Sequence, residues 1–458
     1  MLNCRLFFKQ VVIFLTQHIS HSRSGLALVP LFVFILLFLG TGIYLHLQQV
    51  DYAFYQLPAP VAIIPAIILA LWLDRKLSPT STNLDSSLGV LIKGMGNNKV
   101  ITMCLIYLLA GAFSSVAKAS GGVDAVVYLG LELVPSSFVI AGLFLISAII
   151  ATAMGTSMGT IGAIAPIALG ITESSSISPA MMAGAVVGGA MFGDNLSFIS
   201  DTTIASTKTQ GAELKDKFFE NLIFALPAAF ICLLIYTYIG FNSPAEIVSD
   251  KDVNPLLALP YLCIIVFAIA GMNVFLVLTL GILFSAFTGS FLADYSLATI
   301  GKDIYSGFAA MQEIFLLSML IGGLSELMKQ QGGLNYLIHK INQLVHLFTK
   351  KGDAPSNQVA IAGLAFTTNL AVANNTVAII VAGDTAKHLA QEGNVCPKRS
   401  ASLLDVFSCI AQGIVPYGAQ ALLAAATFAL SPLEIVANVW YCLILALVSV
   451  IVIKVRQS

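Results

Sequence analysis

Two aspartates, Asp194 and Asp201, stand seven residues apart in the stretch GGAMFGDNLSFISDTTIAS, residues 188–206, inside a largely apolar chain. Ser197, Ser200, Thr202 and Thr203 lie among them. A charge at the centre of a bilayer costs ~2.5–3.5 kcal/mol on insertion scales, so carboxylates there call for water, a proton or a cation. Hydroxyl and carbonyl oxygens are the ligands a hard cation prefers. On a continuous helix, residues i and i+7 share one face, roughly 10.5 Å apart. The expected chemistry is a site at Asp194 and Asp201 that holds Na⁺ and H⁺ in turn, the simplest device for exchange. The plainer alternative is that Asp201 ends a helix and meets solvent, with Lys208 close behind.

A second polar stretch, TTNLAVANNTVAII, offers Thr368, Asn369, Asn374, Asn375 and Thr376. These neutral groups can complete a cation shell or simply break and cap a helix. In the first half, Thr152, Thr156, Ser157 and Thr160 occupy a comparable break around GTSMG. Exposed helix ends at such breaks bind charged groups through the backbone dipole. Glu313 opens another apolar stretch and is an accessory proton-site candidate, although an acid near a helix start also compensates the dipole. Asp384 and His388 read as solvated residues. GTSMG fits the nucleophile pattern G-x-S-x-G, but no histidine is placed mid-span to activate it, so an enzyme is not expected.

The elements that must carry these residues are membrane spans. The chain has 458 residues, 58% hydrophobic and 10% charged, with mean hydropathy +0.91. Soluble domains carry roughly 25% charged residues. The net charge of −1 gives no reason to expect nucleic acid as a partner. The seven cysteines are scattered without a C-x-x-C pair and read as small buried hydrophobes. An all-α polytopic membrane protein follows, with about 12 full spans and two short half-helices near 157–172 and 376–386. Short apolar pieces after a polar break are tolerated where protein or a water-filled cavity covers the backbone.

The halves resemble each other. LLAGAFSSVAKASGGVDAVV (108–127) aligns with MLIGGLSELMKQQGGLNYLI (319–338), and GTIGAI (159–164) with NTVAII (375–380) at an offset of 216. That offset places Ile410 and Tyr417 opposite Asp194 and Asp201. Basic residues concentrate in loops 74–99, 200–217 (Lys208, Lys215, Lys217), 329–356 and 386–401 (Lys387, Lys398, Arg399), while the equivalent loops carry few. Basic loops face the cytoplasm, so the second copy is expected upside down and both termini cytoplasmic. Paired broken helices in inverted repeats are the plan of a secondary transporter with its site at the midplane. The expected division is an extension over 1–25, a first repeat over 26–240, an extracytoplasmic linker over 241–254 and an inverted repeat over 255–454.

GAMFGDNLSFISDTT, ANNTVAIIVAGDTAK and SCIAQGIVPYGAQ resemble the NhaC family of Na⁺/H⁺ antiporters, within the ion-transporter superfamily, and the resemblance runs from about residue 26 onward. It implies a bacterial inner-membrane antiporter. It carries over Asp194, Ser197, Ser200, Asp201, Thr202 and Thr203 as a polar core motif, with Asn374, Asn375 and Thr376 as its partner. Asn195 and Phe198 stand where the family commonly has Lys and Pro. Some members of the family exchange organic solutes such as malate and lactate. The runner-up expectation is therefore ion-coupled movement of a small amino acid or carboxylate, with Gly155, Gly159, Gly188 and Gly189 leaving room for it. No arginine lies in the expected membrane core, which weighs against a dicarboxylate clamp. The expected ligands are transported Na⁺ and H⁺, with no cofactor. The expected surroundings are the lipid bilayer, with a homodimer as an open option.

Overall fold

The structure, a computed structural model, describes residues 25–50, 53, 56–77, 84–173, 175–198, 200–242, 254–270, 272–348 and 354–456. Residues 1–24 of the expected extension over 1–25 and most of the linker over 241–254 lie outside the described residues. All the described elements are helical. Seven helices among the described residues are long and apolar enough to cross a membrane, or nine if each of two bent pairs counts as one span.

The chain forms two compact units, Met1–Asn97 with Met319–Lys340, and Asn98–Ser318 with Ile341–Ser458. In the first, the helices Ala59–Leu77 and Leu84–Met95 bring Asp74 and Ser87 together in the interior, where the Ser87 hydroxyl donates to Asp74 at 2.6 Å. The backbones at Gly94 and Gly322 approach so closely that no Cβ would fit.

The second unit contains the polar stretches. Its helices are α1 (Asn98–Ala119), α2 (Val139–Met154), α3 (Ser157–Glu173), α4 (Pro179–Leu196), α5 (Asp201–Gln210), α6 (Leu214–Asn242), α7 (Ala354–Val372), α8 (Asn375–Glu392), α9 (Pro397–Ile414), α10 (Ala419–Phe428) and α11 (Trp440–Val455). The apolar windows in α4–α5 and α9–α10 are 88% and 83% buried, against 33% for α6, so these two interrupted helices form the centre of the unit.

The run from 188 to 206 is not one helix. α4 stops at Leu196, Ser197 and Ser200 are extended, and α5 starts at Asp201. The two aspartates therefore do not share a helical face. The physical reason lies in the last turn of α4, where the Asn195 carbonyl takes bonds from Lys217 Nζ (3.2 Å) and Asn221 Nδ2 (2.7 Å) rather than from a further helical turn. α9 stops in the same manner before Pro416 and Gly418, so the stretch expected as one span is also divided.

Helix ends recur through this unit at a constant spacing. α3 starts at Ser157 and α8 at Asn375, a difference of 218. The same difference relates Met154 to Val372, Pro179 to Pro397, Leu196 to Ile414, Asp201 to Ala419 and Gln210 to Phe428. It also relates the left-handed residues Gly155 to Ala373 and Gly211 to Ala429. The offset of 216 read from the short GTIGAI/NTVAII match is therefore two residues off. The positions opposite Asp194 and Asp201 are Gln412 and Ala419, not Ile410 and Tyr417.

Four stretches expected as loops contain amphipathic helices: Leu84–Met95, Gly122–Leu133, Leu297–Ala310 and Gly333–Phe348. A one-sided apolar stripe lowers mean hydropathy below that of a span while keeping the helical period.

Candidate functional site

A cavity of about 150 Å³ opens where the interrupted helices meet. Its wall includes Gly155, Thr156 and Ser157 from the first break, Asn374, Asn375 and Thr376 from the second, and Asp194, Ser200, Asp201 and Thr202 between α4 and α5. Lys99, Thr102, Gln412 and Gln420 complete the polar part. Residues from three separate polar stretches of the sequence thus face one space.

Asp194 is the focus of the bonding. It is 7% exposed. Its Oδ2 accepts from the Ser157 backbone N–H at 3.2 Å and the Ser157 hydroxyl at 2.8 Å, and its Oδ1 accepts from the Ser200 hydroxyl at 2.5 Å. The carboxylate of one helix thereby caps the start of another, where the orphan N–H groups and the dipole favour an anion. Among the described residues no basic side chain pairs with it. Ser200 is also 3.0 Å from the Thr202 hydroxyl, and Gln420 Nε2 donates to the Ser157 hydroxyl at 3.1 Å. Gln412 links Gln420 to the second break, donating to Gln420 Oε1 at 2.8 Å and to the Ala373 carbonyl at 3.4 Å.

The placement of Asp194 is set by its neighbour. A Cβ on Gly193 would collide with the Ala148 carbonyl, and one on Gly189 with the Phe144 carbonyl, so α4 lies backbone to backbone on α2. Gly188 packs against Tyr441 and Phe144 in the same face. The room expected at Gly188 and Gly189 is thus filled by helix packing, as it is at Gly159, where Val274 closes in.

Asp201 differs from Asp194. Its side chain is 69% exposed, and it accepts from Lys99 Nζ of α1 at 2.5 Å. Of the remaining expected site residues, Ser197 is buried and its N–H donates to the Asp194 carbonyl at 3.2 Å. Thr203 accepts from Lys217 at 2.6 Å. Thr160 bonds back to the Thr156 carbonyl, and Asn369 ties α7 to the Ser408 carbonyl at 2.6 Å. None of these four lines the cavity. Glu313 is half-buried and stands outside the cavity wall. Asp384 and His388 are exposed on α8.

Several polar residues were not singled out from the sequence. Lys217 and Asp405, each with a 1% exposed side chain, form an ion pair at 2.5 Å, and Asn221 donates to the same Asp405 oxygen at 2.8 Å. Lys217 borders an apolar run and reads as a loop cation, but it is inside the protein. Arg399, also counted as a loop residue, is fully buried, pairs with Glu220 at 2.9 Å and stacks over Phe224. It stands in the first turn of α9, at the end of a candidate span. Asp405 was legible as a carboxylate within an apolar run. The two glutamines carry no formal charge and give no comparable signal.

Interrupted helices whose ends surround a cavity with a largely polar wall, in a chain this apolar, define a polytopic helical membrane protein of the transporter class. Residues 15–241 and 249–455 match the Na⁺/H⁺ antiporter family, and the chain belongs to that family. It is 24% identical over 430 residues to the malate-2H⁺/Na⁺-lactate antiporter of Bacillus subtilis, covering 87% of this chain and 90% of the relative. It is 24% identical over 353 residues to the Na⁺/H⁺ antiporter NhaC of Alkalihalophilus pseudofirmus, covering 72% of this chain and 76% of the relative. Among solved structures, the Alcanivorax borkumensis YdaH transporter aligns over 85% of this chain and 96% of its own, with a TM-score of 0.44 and 15% identity.

Proposed function

We propose that this protein exchanges Na⁺ for H⁺ across the plasma membrane, with Asp194 as the carboxylate that holds either ion. The observation that carries the reading is Asp194 itself, a buried acid that no basic side chain among the described residues pairs with, in a cavity whose polar wall is mostly hydroxyl and amide side chains. Its partners Ser157 and Ser200 are hydroxyls, which turn from donor to acceptor as the carboxylate takes a cation or a proton. Asp201, paired with Lys99 at the exposed side, takes part at the rim. Thr202, Asn374, Asn375 and Thr376 supply further oxygens. Na⁺ is the cargo here, and no resident cofactor is involved.

The matching helix ends at an offset of 218 support two structural repeats, and the opposed loop charges support their inversion. Removing the buried Lys217 and Arg399 from the loop count leaves Lys208 and Lys215, and Lys387 and Lys398, so the charge bias persists. In this reading about 12 spans and both cytoplasmic termini accompany alternating access to one site.

A second reading, ion-coupled exchange of a small organic solute, draws on the Bacillus subtilis relative named for malate and lactate. The cavity, about 150 Å³, matches in size one that holds benzene.

Everted vesicles with an imposed inward-acid pH gradient test both. Addition of NaCl is expected to collapse the gradient in the wild type and to leave it intact in Asp194→Asn. A response that requires lactate, malate or an amino acid besides Na⁺ would establish the second reading. Normal Na⁺-driven collapse by well-inserted Asp194→Asn would remove the assignment of the ion to Asp194.

A further inference from the structure

Among the described residues, Asp194, Lys217 and Asp405 are buried charges at or beside the cavity, and Asp194 is unbalanced. Lys217 and Asp405 neutralise each other across 2.5 Å. Among the described residues, Asp194 has hydroxyl and N–H partners alone. The Lys217 ammonium also donates to the carbonyl of Asn195, the residue next to Asp194, at 3.2 Å, which sets the pair beside that carboxylate. The other charges nearby are matched: Asp201 by Lys99 at the rim, and Glu220, on the turn of α6 after Lys217, by Arg399 at 2.9 Å.

A buried ion pair is a weak source of stability, because desolvating two charges offsets most of their attraction. Nor is Lys217 needed to satisfy the break in α4, since the Asn195 carbonyl also accepts from Asn221 at 2.7 Å. Asn221 donates to Asp405 as well. What Lys217 adds that Asn221 does not is a bond to the Thr203 hydroxyl at 2.6 Å and a positive charge.

We propose that the Lys217–Asp405 pair sets the fixed charge of the site at minus one, so that it admits a single monovalent cation. The inference rests on the reading that Asp194 holds the transported ion. Without Asp405, the Lys217 ammonium would cancel Asp194 and repel Na⁺. Without Lys217, two carboxylates would draw Na⁺ more strongly. Removing both restores the original balance. Lys217 and Asp405 are in this sense positioning residues for charge, and touch no cargo themselves.

Binding of radiolabelled Na⁺ to the purified full-length protein tests this, with size-exclusion and thermal melting as controls for folding. Asp405→Asn is expected to bind Na⁺ roughly tenfold more weakly or worse. Lys217→Met/Asp405→Asn is expected to return to within about threefold of the wild type, because charge energies and not contacts decide the outcome. A double variant as weak as Asp405→Asn would overturn the proposal and make the pair a geometric clasp. Wild-type affinity in Asp405→Asn would also overturn it. Should Asp405→Asn fail to fold, Lys217→Met decides: tighter binding than in the double variant supports the proposal, and equal binding refutes it. Asp194→Asn, measured alongside, tests the site assignment separately.

Discussion

At Ser157 and again at Asn375 the chain starts a helix after a left-handed residue, Gly155 in one case and Ala373 in the other, and both starts face the same cavity. The two starts are capped differently. Asn374 caps its own helix, its Oδ1 accepting from the Val377 N–H at 3.1 Å. The first start is capped instead by Asp194, reaching across from α4. At the position 218 residues on, Gln412 donates hydrogen bonds where Asp194 accepts them. Where Ser200 holds Asp194, the equivalent Gly418 has no side chain. The backbone plan recurs, and the charge does not. One half supplies the anion and the other a neutral wall, which suits a site for one small cation better than two equivalent acids would.

The sharpest way to break this comparison is to move the charge. Asp194→Asn/Gln412→Asp keeps one carboxylate in the cavity but places it in the second half, away from Ser157 and Ser200. Vesicle exchange is expected to stay roughly 100-fold below wild type, because a transition-state or bound-ion geometry about 1 Å out of place already costs that much. Substantial rescue would show that the halves are interchangeable and that the hydroxyl partners are dispensable. A smaller effect is expected from Ser200→Ala, which removes one bond to the Asp194 carboxylate. The Na⁺ concentration for half-maximal exchange should shift by roughly tenfold, the size of one hydrogen bond to a charged group, with little change at saturating Na⁺. The smallest effect concerns the left-handed residues. Ala373→Gly is expected to stabilise the protein by about 1 kcal/mol, since a Cβ in that conformation costs ~1–2 kcal/mol. A rise of about one degree in the melting temperature would support a shared backbone requirement at the two breaks.

Much of the cavity was legible along the chain, because its polar residues come in short runs. GDNLSFISDTT and ANNT each place several wall residues within a turn or two, so naming the run names the wall. The roles within a run were not legible. Asp194 and Asp201 look equivalent on a continuous helix, and only the break at Ser197–Ser200 buries one and exposes the other. Residues that reach the site singly were missed. Gln412 and Gln420 lie in SCIAQGIVPYGAQ, a stretch that carries the family resemblance but no charge to mark either one, and Lys99 comes from a third helix.

The membrane class and the polar runs were written in composition and local order. Each is a sum or a match over roughly 20 residues, the length that a bilayer itself selects. The pairing of charges was decided by tertiary structure alone. Lys217 meets Asp405 across 188 positions, and Asp194 meets Ser157 across 37. Whether a lysine at the edge of an apolar run faces water or a buried carboxylate depends on which helix lies beside it, and hydropathy along the chain contains no such term.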